Sequence, residues 1–261
     1  MTRGFGDGAR LMRASADVLR RDPALLWFPF ASTFCLLVTA GFWIFEGAWL
    51  YAVRGPWLLF VPLVAAGLYS LMVVAVFFNV ALAGAAADAL AGREATVGRG
   101  LDVAWTQLGS VAGWAAYSLF VSFALSLVES FRGLRWIGKA AEVAWSFSTL
   151  FVVPLIALDG LGAGEARQRS FELARHDWQA ESGGLVALRA ALLVPGILFA
   201  LVARLLFQGH VHSRPAQVVL GAVLLAGFAL GATVGVVRQV FAVSLYRLAL
   251  PEREESAALM A

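Results

Sequence analysis

Apolar residues occur along this chain in long runs that are separated by shorter polar connectors. Six runs are centred on Phe30–Phe45, Leu58–Phe78, Val111–Val128, Val143–Leu158, Ala190–Ala203 and Val218–Val237. The last run holds twenty residues without a charge, which is the length that a helix needs to cross the hydrocarbon core of a bilayer. The pattern therefore predicts an all-α, polytopic transmembrane bundle of about six membrane helices.

Composition supports the same class. Hydrophobic residues make up 61% of the 261 residues and charged residues 14%, and the mean hydropathy is +0.79. A water-soluble domain could not cover so much apolar surface with so few charges. The net charge of +3 fits the excess of basic residues in cytoplasmic loops of membrane proteins, so it does not indicate nucleic-acid binding.

The distribution of basic residues predicts the orientation. With a cytoplasmic N-terminus, fourteen basic residues fall on the cytoplasmic side and six outside, the loop Arg132–Lys139 being the exception to the rule. We therefore expect a multi-pass protein of the plasma (inner) membrane with both termini in the cytoplasm. The preference for Arg over Lys, with abundant Ala and Gly, favours a bacterial source.

Three cytoplasmic connectors resemble one another. Ser15–Asp22 aligns without a gap with Ser170–Asp177, and Gly100–Gln107 fits the same frame more loosely. Each has apolar residues at helical spacing and charges on the other face, which predicts an amphipathic helix in the cytoplasmic interface. The chain is thus a single membrane domain, 1–261, that we interpret as three parallel repeats: 1–87, 88–158 and 159–261.

Several short motifs resemble those of an uncharacterised prokaryotic family of six-helix membrane proteins, a domain of unknown function. They are Asp22-Pro23 with Leu26–Pro29, Phe77–Asn79 with Ala81-Leu82, Pro154 with Asp159–Gly162 and Glu165-Ala166, and Arg169-Ser170. More loosely, the pattern is similar to the membrane domain that accompanies some glycerophosphodiester phosphodiesterases. The resemblance implies a topology, and it does not imply an activity.

Glycines recur at Gly227, Gly231 and Gly235, on one helix face. Such a stripe lets another backbone approach closely, which predicts helix packing within the chain. A seam between copies in a homo-oligomer, or the lining of a pore, are the alternatives.

Two predicted membrane helices, the fourth and fifth, contain proline, at Pro154 and Pro195. Proline frees a backbone carbonyl, and interrupted helices mark binding sites in transporters. We therefore predict a cytoplasm-facing cleft that binds a lipid phosphate or another ligand, lined by Pro154, Asp159, Glu165, Arg169, Arg189 and Pro195. The alternative is a kinked pair of helices with charges at a solvated membrane edge.

Catalytic and metal-binding motifs are not found. His210 and His212 are one residue apart, and no Cys or carboxylate near them completes a metal shell. We expect no metal, no cofactor and no enzymatic activity. Three classes of function remain: a membrane scaffold or accessory protein that binds anionic lipid or a membrane-protein partner, a small transporter or channel with a cleft between helices four and five, and an enzyme acting on lipid.

Overall fold

A computed structural model describes residues 14–131, 135–174, 201, 204 and 226–247. Every regular element in these residues is helical, which confirms the all-α class. The helices are α1 (described over 14–21), α2 (Trp27–Ala52), α3 (Phe60–Leu90), α4 (Val97–Thr106), α5 (Leu108–Ser130), α6 (Arg135–Ser148), α7 (Val152–Asp159), α8 (described over 163–174) and α9 (Ala226–Arg247). Short 3-10 turns, Pro23–Leu26 and Trp57–Leu59, lead into α2 and α3.

Four helical stretches are long and apolar enough to cross a membrane. They are Pro23–Ala52, Trp57–Leu90, Leu108–Ser130 and Ala226–Arg247, with 30, 34, 23 and 22 residues. They correspond to the first, second, third and sixth apolar runs. Large apolar side chains along them, such as Phe34, Ile44 and Phe120, are exposed over about two thirds of their area or more. Apolar surface of this extent is stable against lipid rather than water.

The fourth run is not one helix, contrary to the prediction. α6 ends at Ser148 and α7 begins at Val152, with a turn between them. The Thr149 hydroxyl donates to the Trp145 carbonyl at 2.8 Å, as side-chain hydroxyls near helix ends often do. Pro154 consequently lies in the first turn of α7, where a backbone N–H would have no partner within the helix. Proline therefore follows the break and does not kink a continuous helix.

The fifth run, Ala190–Ala203, lies outside the described residues except for Leu201, and Arg189 and Pro195 lie outside them too. Six membrane helices therefore stay a prediction beyond the four stretches described above. The last helix continues past its apolar run to Arg247.

A buried core forms from the C-terminal parts of α3 and α9 together with α7. Every residue from Val80 to Ala87 in α3 is buried, and so is most of Val236–Tyr246 in α9. These residues and α7 belong to one hydrophobic cluster. The α3 segment is rich in Ala and has a glycine, so neighbouring helices can approach it closely; the Val103 side chain of α4 lies directly against Gly84. The core thus lies at one end of the long helices.

The three connector segments are helical where they are described, as α1, α4 and α8. Equivalent positions are buried in all three: Ser15, Gly100 and Ser170 at the first position, and Leu19, Ala104 and Ala174 four residues later. Acidic residues two positions after the first, Asp17, Asp102 and Glu172, are exposed. The helices are therefore amphipathic and pack one face against the core. The division into three repeats stays a prediction.

Candidate functional site

None of the described members of the predicted cleft lines either of the two cavities described below. Pro154 is buried in the core, in the first turn of α7. Asp159 accepts a hydrogen bond from the Tyr246 hydroxyl of α9, which joins the end of α7 to the last helix. Glu165 and Arg169 are exposed on α8. Arg189 and Pro195 are outside the described residues, so their part of the cleft stays a prediction.

Ser170 connects α8 to the break between α6 and α7. Its hydroxyl accepts a hydrogen bond from the Phe151 N–H at 3.2 Å and donates one to the Ser148 carbonyl at 2.6 Å. Neither the Phe151 N–H nor the Ser148 carbonyl has a partner within a helix, because the break between α6 and α7 interrupts the backbone hydrogen bonds. Ser170 is fully buried, so these hydrogen bonds are shielded from bulk water. One side chain thus satisfies two backbone groups and fixes α8 against α6 and α7.

A cavity of about 640 Å³ lies between α5, α6 and α8. We call it the aromatic cavity. It is lined by Tyr117, Trp145, Ser148, Arg167, Gln168, Phe171 and Glu172. The four residues from α8 fall at helical spacing on one face, while Ala166, Ser170 and Leu173 are buried on another. The burial of that second face, together with the Ser170 hydrogen bonds, therefore determines which residues of α8 line the cavity.

Two aromatic rings, Tyr117 and Trp145, form one wall of this cavity, and the ring of Trp114 supports them from behind. Trp114 and Trp145 stack at 5.7 Å between ring centroids, with 18° between their planes. Tyr117 lies 5.8 Å from Trp114 and 5.7 Å from Trp145. Stacks of this kind restrict side-chain rotamers, so the ring wall is preorganised.

Arg167 is the cation of the aromatic cavity. Its guanidinium carbon lies 5.1 Å from the centroid of the Tyr117 ring, and its Nη1 donates to the Tyr117 hydroxyl at 3.2 Å. A guanidinium has five N–H donors in a planar fork, so most of them remain for a ligand. The geometry suits an anion with several oxygens, such as a phosphate.

A second cavity, of about 250 Å³, lies between α2, α3 and α9. We call it the glycine cavity, because Gly231 and Gly235 form part of its lining. Its polar side chains, Ser32, Thr33 and Asn79, are uncharged. Around Gly231 and Gly235, no described atom lies within 4 Å of the position that a Cβ would occupy. In the described part of the chain these two glycines therefore border open space, and the close helix packing that we predicted for the stripe is not seen there.

One cluster of charged residues away from the two cavities joins two neighbouring elements. Asp88, at the end of α3, pairs with Arg93 at 2.5 Å and with Arg99 at 3.5 Å, which ties the connector after α3 to the start of α4. Among the described residues no three His, Cys, Asp or Glu side chains are close enough to hold a metal ion. His210 and His212 are not among those residues.

Sequence reasoning missed the aromatic cavity. The types of its residues are visible in the sequence, but Tyr117 and Arg167 are fifty positions apart and no motif connects them. The predicted cleft includes Glu165 and Arg169 from the same charged segment after α7, but neither of them lines the aromatic cavity. Trp114 and Trp145 lie in the third and fourth apolar runs, and their spacing in the sequence does not indicate that their rings stack.

The fold defines the class of protein first: an all-α protein whose described residues include four helices long and apolar enough to span a membrane. Within that class, the chain belongs to a family of unknown function, DUF6159, which it matches over residues 38–255. This confirms the resemblance to a domain of unknown function, whereas the similarity to a phosphodiesterase-associated membrane domain stays a prediction. No curated protein and no solved structure matches the chain.

Proposed function

We propose that this protein is a multi-pass scaffold or accessory protein of the plasma membrane, with cytoplasmic termini, that binds a phospholipid in the aromatic cavity and catalyses no reaction. One observation carries the proposal: a guanidinium is fixed over an aromatic ring in a cavity that opens between helices. Basic pockets between membrane helices are sites for lipid headgroups. The volume of about 640 Å³ lies within the range of small-molecule sites.

The surface beside the cavity suits the acyl part of such a ligand. Phe120 and Phe123 follow Tyr117 by three and six residues on α5, roughly 4.5 and 9 Å farther along the helix axis. Their side chains are 69% and 67% exposed, so they form an apolar surface next to a polar cavity. A ligand with a phosphate at one end and a hydrocarbon chain at the other can place the phosphate in the cavity and the chain against the apolar surface.

Two arginines of α8 provide a matched test. Arg167 lines the cavity, whereas Arg169, two residues later, is exposed and not part of the lining. We expect R167A to lower the phospholipid that copurifies with the protein by about tenfold, because a hydrogen bond to a charged group contributes about 1.5–3 kcal/mol. R169A removes the same charge and should retain lipid as the natural protein does.

The measurement is mass spectrometry of lipid bound to protein purified in nanodiscs, with the thermal unfolding midpoint as a check of folding. If R167A and R169A retain lipid equally well, the aromatic cavity is not the lipid site and the proposal fails.

The glycine cavity supports a second candidate, a small transporter or channel. Gly231 and Gly235 leave space beside three uncharged polar side chains on helices that could span a membrane. The sequence predicted a transport cleft in a different place, between the fourth and fifth membrane helices. Uptake of small polar solutes into proteoliposomes, compared with protein-free vesicles, tests this candidate.

A further inference from the structure

We infer that the headgroup bound in the aromatic cavity is zwitterionic, a phosphate joined to a primary ammonium as in phosphatidylethanolamine. This inference rests on the proposed function and narrows its ligand. It departs from the anionic lipid that the sequence suggested, because the cavity lining contains one cation and one anion, Arg167 and Glu172.

The two charges lie apart along the same cavity wall. Glu172 follows Arg167 by five positions on α8, which corresponds to roughly 7.5 Å along the helix axis. Both side chains are described, and no ion pair joins them. A ligand with a single negative charge would place its phosphate in the field of Glu172 when it binds Arg167. A ligand with both charges meets a complementary partner at each end.

The chemistry of Glu172 favours a primary ammonium. A carboxylate accepts hydrogen bonds and offers about four lone-pair positions, so Glu172 can accept from a ligand besides the interaction that it already makes. A primary ammonium has three N–H donors, whereas a quaternary ammonium has none. The rings of Trp145 and Phe171 in the same lining add cation–π attraction for either.

The experiment uses the full-length protein in nanodiscs that contain equal amounts of phosphatidylethanolamine, phosphatidylglycerol and phosphatidylcholine. Native mass spectrometry measures which lipid stays bound. We expect the natural protein to retain phosphatidylethanolamine over both others. E172Q removes the anion and should shift the ratio toward phosphatidylglycerol by about two- to fivefold, as for a solvent-accessible ion pair. E165Q, on the same helix and outside the cavity lining, should leave the ratio unchanged.

The outcomes separate this inference from the proposed function. The inference is overturned if the natural protein prefers phosphatidylglycerol. It is also overturned if E172Q and E165Q retain the two lipids in the same ratio. In either case, loss of lipid in R167A would still support the proposed function. If R167A keeps its lipid, the proposed function itself fails. Added glycerophosphoethanolamine distinguishes the source of the headgroup: we expect little displacement of lipid at millimolar concentration, and complete displacement would assign the site to a water-soluble ligand.

Discussion

The two cavities of this protein are made in opposite ways. The aromatic cavity is defined by large and charged side chains that hydrogen bonds and ring stacking hold in place. The glycine cavity is open partly because two positions of α9 have no side chain. A cavity of the first kind depends on the positions of its supporting groups and can distinguish ligands by charge. A cavity of the second kind tolerates changes in its lining, and the polar side chains that line it are all uncharged.

The largest expected effect concerns the support of the aromatic cavity. S170A leaves the Phe151 N–H and the Ser148 carbonyl without a partner inside the core, at a cost of about 1–3 kcal/mol for each group. We expect a lower unfolding midpoint in detergent and less bound lipid, because α8 loses its attachment. S126A is the control: its exposed hydroxyl bonds only the Ser122 carbonyl on α5. Equal midpoints for the two variants would show that Ser170 does not hold α8.

A smaller effect is expected at the wall of the glycine cavity. A Cβ at Gly100 would lie 2.5 Å from the Ala81 carbonyl oxygen and 2.6 Å from the ring of Phe28, which also lines that cavity. Because backbone and ring must both shift, G100A should lower the free energy of unfolding by about 1–3 kcal/mol.

Gly98, on the same helix, has no described atom within 4 Å of its Cβ position and gives the matched control. Chemical denaturation in mixed micelles measures both variants. A G98A protein as unstable as G100A would contradict the close approach of α4 to α3.

The smallest effect is expected inside the glycine cavity itself. G231L places a side chain in open space, so the free energy of unfolding should not fall by more than about 0.5 kcal/mol. Lipid bound in the aromatic cavity should stay the same, since the two sites have no lining residue in common. The measurement combines thermal unfolding with the lipid assay.

Strong destabilisation by G231L would contradict the open cavity and restore the packing role that the sequence assigned to the stripe. A change from oligomer to monomer at unchanged stability would instead support the seam between copies. Size-exclusion chromatography with light scattering distinguishes these outcomes.

Local features of the fold were predictable. The helices α1, α4 and α8 followed from apolar spacing. The break after Ser148 was not predictable, because the run Val143–Leu158 has no charge to mark it. Pro154 suggested an interruption, but its position in the chain does not say whether a proline kinks a helix or begins one.

The sequence by itself determined the class of protein, because the length and apolarity of a segment decide whether it can cross a bilayer, and both are properties of that segment alone. Only the tertiary structure decided where individual residues lie relative to the cavities. Arg167 lines a cavity and Arg169 does not, since the buried face of α8 determines its rotation. Gly231 borders open space for the same reason: contact between distant segments depends on how helices pack, and no single segment encodes it.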